Sequence, residues 1–453
     1  MKIIIIGAGE VGFSIAETLC KENKSVVLID NDAERLRQIE EQLDAQLICG
    51  SGSSPETLLQ AGISQAGMVI AVSDQDEVNL VACFVAQHYS PGSVKIARLR
   101  NPEFLDHPDV FRGLRFDLFI NPEREAAEKL LKLIQMPQAM DLIPFAEGKV
   151  WLAGFHLQPA SPIVGMKLFG LRDVVPGYAP LAAAIYRGKE LIIPRGADTL
   201  HAGDVAYFAV APDDMQKTLR LVGKKGRPVE RVMIYGGDST GWYLARELEK
   251  QKDVEIKFIE EDEARCAWLA ERLNRVTVLH GEGMDSDLLL EENIAKMDVF
   301  VAVSKDPENN VLAALLAKSL GARYSMILSN RPDYAALVPS LGIDAAVSPH
   351  LAAVSRILRF LRHGRVAAVE SIRQGRAEGI EFVAQESSPC AGKTLKDLDF
   401  PEGALMIAVV RGEQVIIPTG QTTIMAEDRV VVFCDRRAVA KVEKLFSPKS
   451  ALL

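Results

Sequence analysis

The sequence predicts an α/β protein written twice: two doubly wound parallel-sheet domains, each followed by a small α+β domain. Three observations predict it. Apolar strand runs alternate with helical patterns over about 135 residues at the front of each half, the arrangement of βαβ units. A glycine-rich turn closes the first strand of each half, and the same motifs return in the same order halfway along the chain.

The repeat is legible segment by segment. Lys2–Gly12 (KIIIIGAGEVG) returns as Arg231–Gly241 (RVMIYGGDSTG), Ser25–Asp32 as Glu255–Asp262, and Val69–Ser73 as Phe300–Ser304. Asn101–Phe104 matches Arg331–Tyr334, and Asp117–Pro122 matches Asp344–Pro349. At the back, Ile185–Gly196 (IYRGKELIIPRG) and Val409–Gly420 (VVRGEQVIIPTG) agree at six of twelve positions. The domains expected are 1–140, 141–225, 229–366 and 367–453, with the polar, glycine-bearing stretch Gly223–Arg227 linking the halves.

In the first half, strands are expected at Lys2–Ile6, Val26–Ile29, Gln46–Cys49, Met68–Val72, Lys95–Leu99 and Leu118–Ile120. Helices Val11–Lys21, Glu34–Gln42 and Val78–His88 carry apolar residues at three-to-four spacing. A closing helix, Glu123–Ile134, puts Ala127, Leu130, Leu131 and Ile134 on one face, and Leu351–Leu361 is its counterpart. Those stripes suit either an ordinary core helix or one that packs on a second subunit or repeat. The back part of each half is β-rich. Leu181–Tyr186 and Leu191–Pro194 meet through Arg187-Gly188-Lys189, a hairpin-type turn, and Val205–Val210 and Arg429–Cys434 supply the last strands.

Composition excludes several classes. At 453 residues, 48% hydrophobic and 25% charged, the chain is neither disordered nor a disulfide scaffold. Its net charge of -9 argues against nucleic acid as the partner. Cys20, Cys49, Cys83, Cys266, Cys390 and Cys434 are scattered without metal spacing and read as buried thiols in a reducing compartment, so no metal site is expected. Asp204 and Asp428 of the back modules look isolated. The opening apolar run is too short and wrongly flanked for a signal peptide, and no stretch reaches the roughly 18 to 20 apolar residues of a membrane-spanning helix. Any work at a membrane is then expected to run through a partner.

Gly7-Ala8-Gly9-Glu10-Val11-Gly12 is the chemistry-bearing motif, standing after a strand and opening a helix. Gly7 permits the tight turn, Gly9 lets backbone approach a pyrophosphate, and Gly12 allows close helix–strand packing. The phosphate would rest on the unpaired N–H groups of the helix start. Asp30, at the end of the second strand, is placed to take ribose hydroxyls. With no arginine immediately after that acid, NAD(H) or an adenosine nucleotide is favoured over NADP. Gly50-Ser51-Gly52, Ser73-Asp74 and Arg98 should complete the cleft. Arg98 is expected to meet a phosphate or a cleft carboxylate, the alternative being an edge-strand arginine in solvent.

The second copy has Asp238 where the first has Gly9, and Leu328 where it has Arg98. Glu260 keeps a carboxylate at the Asp30 position. A nucleoside or differently placed ligand, or a purely structural copy, are both compatible with this. None of the seven histidines recurs in both halves, and no nucleophile or metal-protease motif is visible. The cofactor is expected to be read rather than consumed.

GAGEVG with Asp30, the Gly50–Ser53 loop, Ser73-Asp74, Arg98 and an RG…IIP…GD module, all duplicated, resembles the TrkA family of Trk potassium-uptake regulators. Those are tandem proteins with two Rossmann-like RCK (KTN) domains, each followed by an RCK-C (TrkA-C) domain, and the resemblance spans the whole chain. It implies a non-enzymatic regulatory subunit that forms a homotetrameric ring on the cytoplasmic face of the inner membrane, beneath a TrkH/TrkG-type potassium channel. It also implies NAD(H), or ATP and ADP, as ligands. By position, Gly7, Ala8, Gly9, Glu10, Val11, Gly12, Asp30, Ser51, Ser73, Asp74 and Arg98 would form the first nucleotide site. Gly236, Gly237, Asp238, Ser239, Thr240, Glu260, Glu282 and Ser304 would form the second, where Asp238 departs from the pattern. An NAD-dependent oxidoreductase and a free-standing redox or nucleotide sensor are the alternatives.

Overall fold

The computed structural model describes residues 2–447 apart from 22, most of 102–114, 179, 189, 331–337, 339–340, 362–365 and 373–376. The recurrence of Asn101–Phe104 at Arg331–Tyr334 therefore lies largely outside the described residues. The chain forms two compact units, one of Met1–Ala126 with Pro349–Phe360, the other of Ala127–Ser348 with Leu361–Leu453.

In the first unit the chain runs β1 (Lys2–Ile6), α1 (Glu10–Lys21), β2 (Ser25–Asp30), α2 (Ala33–Ile39), β3 (Gln46–Cys49), α3 (Pro55–Gln60), β4 (Ala66–Ala71), α4 (Asp76–Tyr89), β5 (Val94–Arg98), β6 (Leu118–Ile120) and α5 (Pro122–Gln135). The strands form one sheet in the order β3-β2-β1-β4-β5-β6, and every pair is parallel. Four consecutive isoleucines suit β1 because a central parallel strand is covered on both faces, and Ile3, Ile4, Ile5 and Ile6 are all buried. The order reverses at β1/β4, which opens a crevice at the carboxyl ends of those strands.

The second unit holds three more sheets among the described residues. The first is antiparallel, β7 (Asp141–Phe145), β8 (Val150–His156), β9 (Leu181–Arg187), β10 (Glu190–Ile192) and β11 (Val205–Val210), ordered β10-β9-β11-β8-β7 and followed by α6 (Met215–Leu221). Strand β10 is shorter than expected, ending at Ile192 rather than Pro194. Next come β12 (Arg231–Tyr235), α7 (Ser239–Leu248), β13 (Glu255–Glu260), α8 (Glu263–Arg272), β14 (Val276–His280), α9 (Ser286–Glu291), β15 (Val299–Ala302), α10 (Pro307–Ser319), β16 (Tyr324–Leu328) and β17 (Ala345–Val347), after which the chain returns to the first unit as α11 (Pro349–Leu361). They repeat the first sheet as β14-β13-β12-β15-β16-β17. Last are β18 (Val366–Ile372), β19 (Ala377–Val383), β20 (Ala404–Arg411), β21 (Gln414–Ile416), β22 (Arg429–Asp435) and α12 (Val439–Phe446), whose sheet order β18-β19-β22-β20-β21 copies the other antiparallel sheet.

The two antiparallel sheets share one core. Phe145, Leu152, Tyr186 and Tyr207 of one pack with Ile407, Val410, Val431 and Phe433 of the other. At its edge Glu381 accepts the Ala146 N–H (2.7 Å) and pairs with Arg429 (3.0 Å), which also reaches Glu147 (2.7 Å). Asp204 and Asp428 are not isolated. Each is buried and gripped by two hydrogen bonds from the arginine of its own RG turn, Arg187 (2.9 Å and 2.9 Å) and Arg411 (2.8 Å and 2.8 Å). These arginines also tie the Thr199 and Thr423 carbonyls, so the recurring RG…D spacing is a clamp on the strand-to-loop junction.

Two further expectations are corrected. Cys83, Cys266, Cys390 and Cys434 are buried, but Cys49 is exposed and Cys20 half-buried, because they lie at a strand end and a helix end. In α5, Ala126 and Leu133 are buried beside Ala127, Leu130 and Ile134, while Leu131 is only half-buried. Helix α11 closes the second repeat in sequence, but Pro349–Phe360 belong to the unit of the first sheet. Ala353, Val354, Ile357 and Leu358 are buried there, and Arg356 approaches Glu125 of α5 at 3.7 Å.

Candidate functional site

The crevice of the first repeat is built on the turn from β1 into α1. Gly7 adopts φ +98°, and a Cβ there would stand 2.8 Å from the backbone of Ser73, so only glycine fits. A Cβ on Gly12 would collide with the Gly7 carbonyl oxygen, which is how α1 starts so close to the strand. Gly9 is different, since a Cβ on it would have no atom within 4 Å. Its carbonyl accepts the Phe13 N–H (2.8 Å), making it the cap of α1, so the open space lies over the unpaired N–H groups of the helix start.

Asp30 is buried and does two structural tasks. One oxygen accepts the Ala8 N–H (2.6 Å), the other the Asp32 N–H (2.9 Å), tying the glycine turn to the end of β2. Arg35 of α2 also lies 3.4 Å from this carboxylate. No arginine follows Asp30 immediately in the sequence, but the first turn of α2 brings back one from five positions on. Ser51 and Ser53 bond each other through their hydroxyls (2.9 Å) on the exposed loop after β3. Glu10 and Asp74 are exposed, whereas Ala8 and Val11 are buried.

Ser73 is held by a residue that the sequence reading missed. Asn79, fully buried in α4, accepts from the Ser73 N–H and hydroxyl (both 2.9 Å) and donates to the Ser73 and Arg98 carbonyls (both 3.0 Å). It thereby joins the ends of β4 and β5. The second repeat copies it at Asn310, which bonds the Ser304 N–H, hydroxyl and carbonyl and the Leu328 carbonyl. The signal was present: an asparagine six residues after the recurring serine in both halves.

Arg98 ends an interior strand, so the solvent-facing alternative is excluded. Its Nε is buried with no hydrogen-bond partner. Burial and then neighbouring Arg100 pull its pKa below the ordinary arginine value, against Glu123, Asp76 and Asp74. A guanidinium with a buried, unbonded Nε at the carboxyl end of β5 suits a phosphate anion. The residues present thus fit a nucleotide: the helix start and Arg98 for phosphate, Asp30 for a ribose.

The second glycine turn carries charged side chains that the first lacks. Asp238, capping α7 where Gly9 caps α1, pairs with Lys305 at 3.0 Å. Lys305 stands at the Asp74 position, so both charges of the pair are new to this copy. Glu260 accepts the Gly237 N–H in a very short contact and the Asp262 N–H at 2.8 Å, as Asp30 does. Arg265 donates to the Gly237 carbonyl (2.6 Å) with its guanidinium 3.9 Å from the Trp268 ring centre. Tyr235, replacing Ile6, bonds Glu261 (2.5 Å); burial and that carboxylate push its phenol pKa upward. Gly236 repeats the left-handed turn at φ +108°, Ser239 and Thr240 open α7, Glu282 is exposed, and Ser304 is bound to Asn310.

The TrkA-N domain model matches residues 3–122 and 232–349, and the TrkA-C domain model matches 152–223 and 380–447. The chain is 38% identical over 457 residues to the Trk system potassium uptake protein TrkA of Azorhizobium caulinodans, covering 98% of both chains. It is 38% identical to that of Halomonas elongata, again over 98% of both, and 36% identical to that of Vibrio alginolyticus over the full length of each. Among solved structures, the GsuK channel bound to NAD aligns with a TM-score of 0.58 at 16% identity, covering 98% of this chain and 78% of that one. The human SLO3 gating ring aligns at 0.50 and 13%, over 96% and 99%. At such identities these two establish shared fold.

Proposed function

The chain belongs to the TrkA family, and from that premise we propose that it is a nucleotide-sensing regulatory subunit of a Trk-type potassium uptake system, carrying out no chemical step itself. Its four domains are 1–140, 141–225, 229–366 and 367–453. NAD(H), or ATP and ADP, binds in the first repeat, with phosphate over the start of α1 near Gly9 and Arg98, and ribose at Asp30. The partner is a TrkH/TrkG-type membrane potassium channel, beneath which the chain assembles as a tetrameric ring on the cytoplasmic face of the inner membrane. No helix among the described residues is long and apolar enough to cross a membrane, which agrees with an ion path in the partner.

One observation carries this reading: the first crevice has an open Gly9 and an Arg98 whose buried Nε has no hydrogen-bond partner, where the second has an Asp238–Lys305 pair and Leu328 at the Arg98 position. Ligand contacts that differ between two ring arrangements would shift their populations and so gate the channel. Helix α11, whose Pro349–Phe360 belong to the unit of the first sheet, and helix α5, which Arg356 of α11 approaches at Glu125, are the elements suited to pass that shift on.

Titration calorimetry of the full chain with NAD+, NADH, ATP and ADP tests the site, and one nucleotide per chain is expected. Asp30→Ala should abolish nucleotide-dependent potassium flux in cells co-expressing the channel, without dissolving the ring. Unchanged affinity in that variant, or two equivalent sites per chain, would overturn the assignment.

A further inference from the structure

The glycine motif of the first repeat is met by a residue from the far end of the second. Helix α11 begins Pro349-His350, and within the first unit the His350 Nδ1 lies 3.3 Å from the Glu10 carboxylate. Glu10 is the acid inside Gly7-Ala8-Gly9-Glu10-Val11-Gly12 and the first residue of α1. His350 is 9% exposed, whereas the Glu10 side chain is 65% exposed. The first turns of two helices thus meet through one imidazole and one carboxylate, beside the space over Gly9.

A carboxylate at this place has two effects. It is favoured by the positive end of α1, and it repels a second anion arriving there. What that anion experiences therefore depends on how far Glu10 is neutralised, and the group placed to neutralise it is His350. We propose that His350 is a positioning residue of the first nucleotide site, supplied by the second half of the chain, and that it sets through Glu10 the charge met by a bound pyrophosphate. The inference rests on the nucleotide reading of that site and gives the second repeat a direct hold on the first repeat's ligand.

Among the described residues, Glu10 is the charged group facing His350 from α1. The first turn of α11 holds no acid, and Arg356, farther along that helix, is directed to Glu125 of α5. Burial lowers the imidazole pKa and Glu10 raises it, with burial the larger, so His350 is mainly neutral at pH 7. An anion bound beside Glu10 adds negative potential and favours the imidazolium. Binding then takes up a proton, and affinity rises as pH falls through the histidine range.

NAD+ is the suitable probe because its pyrophosphate stays fully ionised from pH 5.5 to about 8.5, whereas a terminal phosphate titrates near pH 6 to 7. Calorimetric titration of the full chain should show affinity about three- to tenfold tighter at pH 5.5 than at pH 7.5. His350→Gln keeps a hydrogen bond to Glu10 but cannot charge, and should bind with a flat pH profile. Glu10→Gln, at an exposed position where folding is not at stake, should bind at least as tightly as the wild type at pH 7.5, also without slope. A wild-type slope retained in His350→Gln, or no slope in the wild type, would overturn the proposal while leaving the nucleotide site standing. No binding at any pH would overturn the site and this inference together.

Discussion

Replacing Gly9 by Asp separates the nucleotide site from the stability of the fold that carries it. A Cβ at Gly9 meets nothing within 4 Å, and its backbone is not in the left-handed region, so the substitution is free of steric strain. Gly9 already caps α1, and an aspartate there faces the positive end of the helix, so stability should hold or rise by a few tenths of a kcal/mol. The second repeat shows the same aspartate tolerated, since Asp238 caps α7. The ligand tells the other way. A carboxylate about 4 Å from a pyrophosphate costs up to roughly 4 kcal/mol at an effective dielectric of about 20. Salt screening and side-chain rotation reduce this to about 3 kcal/mol, or about a hundredfold in affinity. Thermal melting should therefore match the wild type within about 2 °C, while NAD+ titration shows a hundredfold weaker site. Wild-type affinity in Gly9→Asp would refute the placement of phosphate over α1, and a large fall in melting temperature would refute the claim of open space.

Asp30 carries both loop and ligand, so its two variants should part company. Asp30→Ala leaves the buried Ala8 N–H without an acceptor and should cost about 1–3 kcal/mol in urea titrations as well as nucleotide affinity, whereas Asp30→Asn keeps that acceptor and should lose mainly affinity. Asn79→Ala removes four bonds that join the ends of β4 and β5. It should destabilise the first unit by about 2–4 kcal/mol and raise amide exchange at Ser73 and Leu99, and a loss below about 0.5 kcal/mol would show that the loop is held otherwise. For Asp204, burial raises the carboxyl pKa, but the Arg187 bonds and the His201 N–H outweigh it and hold the pKa below the ordinary carboxylate value. A depressed folded value means stability present above the unfolded pKa of about 3.9 and lost as pH falls through the folded one. The stability gap between wild type and Asp204→Asn should accordingly be full at pH 7 and shrink below pH 4 in denaturant midpoints.

Much of this molecule is determined by short-range pattern. Four isoleucines before Gly7 can only be a central strand buried on both faces, and Gly7, Gly12 and Gly236 sit where any side chain would collide with backbone or adopt a left-handed φ. Asp30 and Glu260 follow from strand length alone, because a second strand of ordinary length ends beside the glycine turn. The duplication of a doubly wound parallel-sheet domain was legible for the same reason: strand, turn and helix signals are local and recur in sequence. Other features are long-range and have no local mark. Asn79 looks like any helix polar residue until β4 and β5 end on either side of it, and Asp204 looks isolated until Arg187 is brought across seventeen positions by a strand reversal. The replacement of Gly9 by Asp238 and of Asp74 by Lys305 is visible in the sequence, but that the two new charges pair is visible only once both loops face one another. Above all, the sequence of α11 suits either a core helix of its own sheet or one that packs on a second subunit or repeat, because its amphipathic face is satisfied equally by any apolar groove of the right width. Only the tertiary structure decides that the groove belongs to the first repeat, and with that choice His350 comes to lie against Glu10.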